Sequence, residues 1–447
     1  MTPKTPPPRP PGETWQITKP VVENTNGVIA SQHRLASEAG ARILARGGNA
    51  VDAAITASFV LATVEPWMSG LGGGGYMMIR RAGTTEAQMV DFGMVAPAGL
   101  DVSAYPLTGA AGGDMFGWPA VLEDRNLKGF YSIALPTQVG GLALAHGSFG
   151  TKPWSELLAP AIASAEAGME ADWYATIAIS AAAADLAQNE TASAIYLPGG
   201  YPAAGSWSTP APRVELGRLA ATLRRLSEAG GEDFYRGEIA ENLAADLSAG
   251  GCPISLDELR DYRARIVNLS AHPYGKANIF AATGLSAGPT LIDALDGLQA
   301  RPLPSGTPDG EYYRRLATAL TDAIAARLSD DGDGDGRSCT SQISVVDGEG
   351  TAVALTQTLL APFGAKVVLP RTGILMNNGI MWFDPRPGRP NSIAPGKRPL
   401  SNMCPTVVET PDGRRAALGA SGGRRILPAV LQLVSFLVDH AMSLDEA

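Results

Sequence analysis

Ser329-Asp330-Asp331-Gly332-Asp333-Gly334-Asp335-Gly336 runs, after three residues, into Thr340-Ser341-Gln342-Ile343-Ser344-Val345-Val346-Asp347. The first half is a loop by composition, since Asp and Gly favour turns and solvent over any regular element. The second half alternates β-branched and small residues and reads as a strand. Gly348-Glu349-Gly350 makes a turn, and Thr351-Ala352-Val353-Ala354-Leu355-Thr356-Gln357-Thr358 returns as a second strand. A three-residue loop sets Asp347 against Thr351. Counting back then places Thr358 opposite Thr340 on the same face, whereas a four-residue loop slips the register by one and spoils that pairing.

Outward from this hairpin the chain alternates strands and helices. Residues 27–30 read as a strand, and Ser37 is the expected N-cap of a helix that ends at Gly47-Gly48. Asn49 should cap a second helix, residues 50–64, which is apolar nearly all round and therefore buried on most sides. Residues 69–75 (S-G-L-G-G-G-G) lead into a strand at 76–79. Further helices are expected over 155–167, 174–187, 214–229 and 312–328, with Pro/Gly-rich joints near 99–120, 195–213 and 299–310. No internal repeat is visible.

Composition narrows the function. The chain has 447 residues, 45% hydrophobic and 18% charged, with a net charge of −9. That is ample for a large core, and the acidic balance argues against a nucleic-acid or anionic-membrane surface. Cys252, Cys339 and Cys404 lie far apart, which fits a reduced compartment. Four scattered histidines give no H-x-x-x-H pair, so a zinc site has no support. Residues 1–26 are too proline-rich and polar for a signal peptide and read as a disordered arm. No run of about 18 apolar residues occurs. The expectation is a soluble, cytoplasmic protein.

Thr340 carries the chemical argument. A chain-terminal α-amine titrates near pH 8, so a terminal Thr holds a nucleophile and a usable base in one residue. Self-cleavage makes such a terminus inside a folded chain: the side-chain oxygen attacks the preceding carbonyl, and water releases the resulting ester. A solvated loop followed by a rigid strand suits that chemistry, because the scissile bond can be strained against a fixed anchor.

Several segments resemble γ-glutamyltranspeptidases, in family order. They are S-Q-H-x-L-A-S-E-A-G (residues 31–40) with G-G-N-A-V-D-A-A (47–54), V-E-P-W-M-S-G-L-G-G-G-G-Y (64–76), and V-G-G-L-A-L-A-H (139–146) with W-S-E-L-L-A-P-A-I (154–162). T-S-Q-I-S-V-V-D at Thr340 is similar to the family's T-T-H-x-S-V-V-D, and G-I-L-M-N-N (373–378), K-R-P-L-S-N-M-C-P (397–405) and G-G-R-R-I (422–426) complete the series. The resemblance covers residues 27–447. It implies an α/β fold, the four-layer αββα Ntn-hydrolase sandwich, cut between Cys339 and Thr340 into a large subunit (27–339) and a small subunit (340–447). It also implies that Thr340 is the nucleophile, Thr358 its support, Gly422 and Gly423 the oxyanion hole, and Ser401 the first of two serines at the substrate carboxylate. No cofactor and no metal are implied. The partners expected are a small amide or peptide-like substrate and the two cleaved chains for each other, with no nucleic acid or membrane.

The departures concern substrate binding. The arginine of the family's D-F-R-E-M-A-P is Gly93. In N-N-Q/E-M-D-D-F, Gly379 stands at the third position and Trp382 replaces the aspartate that accepts the glutamyl ammonium. Leu360 replaces an asparagine, Asn402 the second serine, and Gln342 the histidine two residues after the nucleophile. Charge-assisted hydrogen bonds contribute roughly 1.5–3 kcal/mol each, so loss of both clamps should abolish γ-glutamyl specificity while leaving the acylation machinery. Trp382 would offer an apolar wall; alternatively it is core, and Arg386, Arg389 or Arg398 replaces the missing arginine. The family's small subunit runs past residue 447, so residues 442–447 read as a helix cut short.

Other motifs carry less. Gly72 to Gly75 lack the G-K-[ST] of a phosphate loop and read as close backbone packing. Asp331-x-Asp333-x-Asp335-Gly336 imitates a calcium loop, but Gln342 stands where a bidentate Glu is needed. Cys252 and Cys404 read as small core residues. The sequence thus describes a self-cleaved acyl-transfer enzyme. Its alternatives are true γ-glutamyl transfer, carbon–carbon bond hydrolysis in a natural-product pathway, and an uncleaved pseudoenzyme.

Overall fold

The hairpin forms with the three-residue-loop register. Strands Cys339–Asp347 and Ala352–Leu360 pair from Val346↔Ala352 to Ser341↔Gln357, and the Asp347 N–H donates to the Thr351 carbonyl at 3.0 Å. At the far end the ladder slips, and Cys339 pairs with Leu360. Thr340 therefore faces two residues, Thr358 and Leu359, across a β-bulge. Leu360 adopts φ +87, left-handed backbone for a branched residue, and its N–H donates to Thr358 Oγ1 at 2.8 Å.

A computed structural model describes residues 21–112, 116–205, 208–301, 306–328 and 339–447. The hairpin lies inside a six-stranded sheet ordered Gly27–Ser31, Cys339–Asp347, Ala352–Leu360, Gly74–Arg80, Ala87–Phe92, Arg265–Leu269, with every neighbouring pair antiparallel. A second sheet contains Arg415–Leu418, Thr406–Glu409, Ala277–Ala281 and His272–Tyr274.

Alternation along these strands feeds three separate cores. Ile343, Val345 and Leu355 pack outward against helices Arg34–Ala45 and Ala50–Val64 through Ile43, Ile55 and Phe59. Tyr76, Met78 and Met89 meet Phe280 and Val407 between the sheets. Ile279 and Val408, the alternate residues of the second sheet, face outward onto helices Gly288–Gln299, Gly310–Leu328 and Ile426–Val438. The layers run helix, sheet, sheet, helix, as expected.

Helix Ala50–Val64 is buried at every position. Its start is a capping box: Asn49 accepts from Asp52 N–H at 3.0 Å, and Asp52 accepts from Asn49 N–H at 3.0 Å. Asp347 adds a third tie, accepting from Ala50 N–H at 3.0 Å. The glycine run packs by close approach. A Cβ on Gly72, Gly73 or Gly75 would stand 2.3, 2.4 or 2.3 Å from the carbonyls of Leu375, Thr358 and Thr356 respectively.

Some boundaries differ from the sequence expectations. The first helix begins at Arg34, not after Ser37, because His33 Nδ1 caps Leu35 N–H at 3.2 Å; Ser37 Oγ instead meets Ser31 Oγ at 2.8 Å. The helix expected from Val214 starts at Leu219, since Arg213–Val214 pairs as a short strand with Met169–Glu170. Residues 442–447 form a turn closed by Ala447 N–H on the Ser443 carbonyl at 2.9 Å, not the start of a helix. The Asp/Gly loop and most of the proline-rich arm lie outside the described residues. Among those described, no helix is long and apolar enough to cross a membrane.

Candidate functional site

Thr340 stands at the head of a central strand, 2% exposed. Strand alternation puts it on the face of Gln342, toward the second sheet. Gln342 Oε1 accepts from Thr356 Oγ1 at 2.6 Å, and a Cβ built on Gly419 would lie 2.0 Å from that same Oε1. The turn that leaves strand Arg415–Leu418 is thereby seated against the Thr340 strand, two residues from Thr340. Gly422 (φ +119) and Gly423 (φ +61) follow in that turn, both in backbone that favours glycine. Among the described residues neither N–H has a hydrogen-bond acceptor. Two unpaired backbone donors in a turn that begins against the Thr340 strand are the raw material of an oxyanion hole.

The Thr340 segment is braced at its edge and on one face by groups the sequence reading passed over. Gln32 Nε2 donates to the Thr340 carbonyl at 3.3 Å, and Gln32 Oε1 accepts from Gln342 N–H at 2.8 Å. On the braced face Ser341 Oγ meets Ser69 Oγ at 2.9 Å, Ser69 accepts from Gln357 Nε2 at 3.0 Å, and Ser58 donates to Gln357 Oε1 at 2.5 Å. Gln138 joins the chain through Ser58 at 2.9 Å. For Ser58, Ser69 and Gln138 the available signal was a polar side chain in an apolar stretch, which marks a need for a partner without naming it.

Gly74 pairs with Thr358 and Gly75 with Phe92, so Gly93 lies two strands across from Thr358. A Cβ there would stand 2.7 Å from an Arg398 guanidinium nitrogen and 2.7 Å from Tyr76 Oη. Arg398 thus fills the volume of the missing side chain, yet it is committed to Asp91, which it meets with both terminal nitrogens. Arg265 holds the same carboxylate at 2.8 Å. Burial pushes the Asp91 carboxyl up, but the bonds and charge of Arg398, the Gly93 N–H and Arg265 hold it below the usual range. Arg386 instead pairs with buried Asp384 at 2.6 Å and lies 5.7 Å over the Trp118 ring.

Trp382 is 5% exposed and belongs to the inter-sheet core with Tyr76, Met94, Phe116 and Phe383. Gly379 admits no side chain, since a Cβ would lie 2.7 Å from Ala134 Cβ and 2.8 Å from Met94 Sδ. The paired asparagines stitch this loop to the bulge: Asn378 N–H donates to the Leu359 carbonyl at 3.1 Å, and its Oδ1 accepts from Ala361 N–H at 3.0 Å. Ser401 is buried; its carbonyl accepts from Arg327 at 2.7 Å and its Oγ from Met403 N–H at 3.2 Å. Asn402 beside it is half-buried. Neither described free cysteine competes as a nucleophile, because burial pushes both the Cys252 and Cys404 thiols up to about 12.

A four-layer αββα sandwich with a threonine at the bulged head of a sheet strand has the architecture of an Ntn hydrolase. The family profile described as Gamma-glutamyltranspeptidase matches residues 36–339 and 329–447. The chain is 34% identical to the Acylase ACY 1 proenzyme of Pseudomonas sp. (strain V22), over 95% of this chain and 81% of that protein. It is 30% identical to the Glutathione hydrolase proenzyme of Pseudomonas sp. (strain A14), over 94% and 80%. Its fold is like that of cephalosporin acylase from Bacillus halodurans, with a TM-score of 0.79 at 23% identity, over 96% of this chain and 84% of that one. The chain belongs to the gamma-glutamyltranspeptidase family. It is an enzyme of the Ntn-hydrolase class, built for acyl transfer from amides.

Proposed function

We propose that the chain is a proenzyme that cuts its own Cys339–Thr340 bond and then transfers an acyl group other than γ-glutamyl. In maturation Thr340 Oγ1 attacks the Cys339 carbonyl carbon, the peptide C–N bond breaks as the ester forms, and water hydrolyses the ester. The products are a carboxylate on Cys339 and a free α-amine on Thr340. In turnover that amine takes the hydroxyl proton as Oγ1 attacks the substrate amide carbonyl. The oxyanion develops toward the Gly422 and Gly423 N–H groups, the amine product departs with the proton, and water or an acceptor amine releases the acyl group. Thr358 and Gln32 hold the Thr340 segment. The Thr340 strand is hydrogen-bonded on both sides by strands of the same sheet, so the two cleaved chains remain one body.

The observation that carries the altered specificity is the pair of positions where a glutamyl group would find its charges. Gly93 has none, and Trp382 is an apolar core residue. The 34% identity to a protein named an acylase agrees with this reading. γ-Glutamyl transfer with a rearranged clamp draws on Arg398 beside Gly93, but Asp91 already engages that guanidinium. Two missing charge-assisted bonds of roughly 1.5–3 kcal/mol each predict at least a 100-fold preference for a neutral acyl anilide over the γ-glutamyl anilide in kcat/KM. Efficient γ-glutamyl turnover at micromolar KM would sink the altered-specificity reading.

A further inference from the structure

Backbone pairing on the Gly27–Ser31 side of the Thr340 strand ends at Ser31↔Ile343. Beyond it the partner chain turns away into helix Arg34–Ala45, which His33 caps. On the other side the ladder slips at the bulge between Cys339 and Ser341. The nucleophile therefore sits where the sheet gives its backbone the least support. The Gln32 amide stands in that gap, and its two bonds, a donor to the Thr340 carbonyl at 3.3 Å and an acceptor for Gln342 N–H at 2.8 Å, reproduce what one more paired residue would supply.

We propose that Gln32 is a positioning residue for Thr340, a side-chain extension of the edge strand that fixes the nucleophile's backbone for both self-cleavage and turnover. The inference rests on the reading of Thr340 as the nucleophile. The Thr340 carbonyl is one bond from the Cα that bears both the amine and the side chain. Fixing that carbonyl fixes the torsion that sets the direction of Oγ1 and the amine, and an aim relaxed by an ångström costs rate steeply. An amide suits the place, because one planar group presents a donor and an acceptor side by side. Gln32 is itself exposed, so its replacement leaves the core untouched and its effect on Thr340 can be read apart from folding.

The test compares wild type, Gln32→Met and Gln32→Glu. Uncut precursor of each is refolded from denaturant, and self-cleavage is followed by intact mass at about pH 3.8 and about pH 8, below and well above the ~4.3 at which an ordinary glutamate loses its proton. Two neutral hydrogen bonds of about 1 kcal/mol each predict that Gln32→Met slows cleavage about 10- to 30-fold with its urea midpoint unchanged. Its mature fraction should lose kcat at constant KM. Gln32→Glu should be slow at the higher pH, where a carboxylate faces the Thr340 carbonyl without a proton to donate. It should recover relative to wild type at the lower pH, as a protonated carboxyl regains donor and acceptor together. Wild-type rates in Gln32→Met, or a Gln32→Glu defect equal at both pH values, would overturn the proposal. A wild-type chain not cut before Thr340 would instead overturn the reading of the nucleophile.

Discussion

Glu65 ends the buried helix Ala50–Val64, 6% exposed, with Oε2 sealed from solvent and without a hydrogen-bond partner. Burial first, and the charge of Asp172 second, push its carboxyl from 4.5 up to about 7. The folded protein therefore holds a proton that the unfolded chain gives up. Below pH 4.5 both states are protonated and the group is neutral to stability. As pH rises from 4.5 to 7 the unfolded state alone is relieved of its proton, so stability falls, and it levels off above 7. A gap of about 2.5 units at 1.36 kcal/mol per unit makes the loss about 3 kcal/mol. Glu65→Gln removes it. Urea unfolding of the uncleaved chain, with and without Glu65→Gln, should give near-equal stabilities at about pH 4.5 and a variant more stable by about 2–3 kcal/mol at about pH 8. A difference between the two that stays constant with pH would refute the reasoning.

Gly75→Ala places a methyl 2.3 Å from the Thr356 carbonyl in mid-sheet, where backbone cannot yield; soluble yield should collapse, or the urea midpoint fall by the equivalent of about 3 kcal/mol or more. Asp91→Asn leaves Arg398 and Arg265 sharing a neutral amide. A loss of about 2–4 kcal/mol is expected, softened from the fully buried case by the exposure of Arg265, and unfolding measurements at neutral pH check it. In the native protein, alkylation at about pH 8 should spare Cys252 and Cys404, whose thiols burial pushes up to about 12, and peptide mapping after the reaction reads this directly.

The hairpin was legible because the turn composition and the two-residue period speak for themselves; its register was not, since a three- and a four-residue loop fit the same residues. Helix Ala50–Val64 was legible because Asn49 and Asp52 mark its start and an all-apolar surface implies burial. The bulge at Thr340 was not. It depends on Leu360 holding left-handed backbone against Thr358 Oγ1, and the alternation that names a strand continues unbroken through it. The braces of the site were equally silent. Gln32 and Ser69 lie 308 and 272 residues from their partners Thr340 and Ser341, and no local pattern carries that distance. Arg398 over Gly93 is a similar case: the sequence showed an arginine lost and three candidates, and packing chose the one beside Asp91. His33 displaced Ser37 as a cap because strand and helix share the loop between them, and Ser37 was already turned back onto Ser31.

The central claim, that Thr340 is released as an N-terminal nucleophile, is tested most directly by the intact mass of freshly purified protein beside a Thr340→Ala control. The account predicts two chains from the wild type, the smaller beginning at Thr340, and one uncut chain from the control. A wild type that remains a single chain, or a control cut at the same bond, would contradict it.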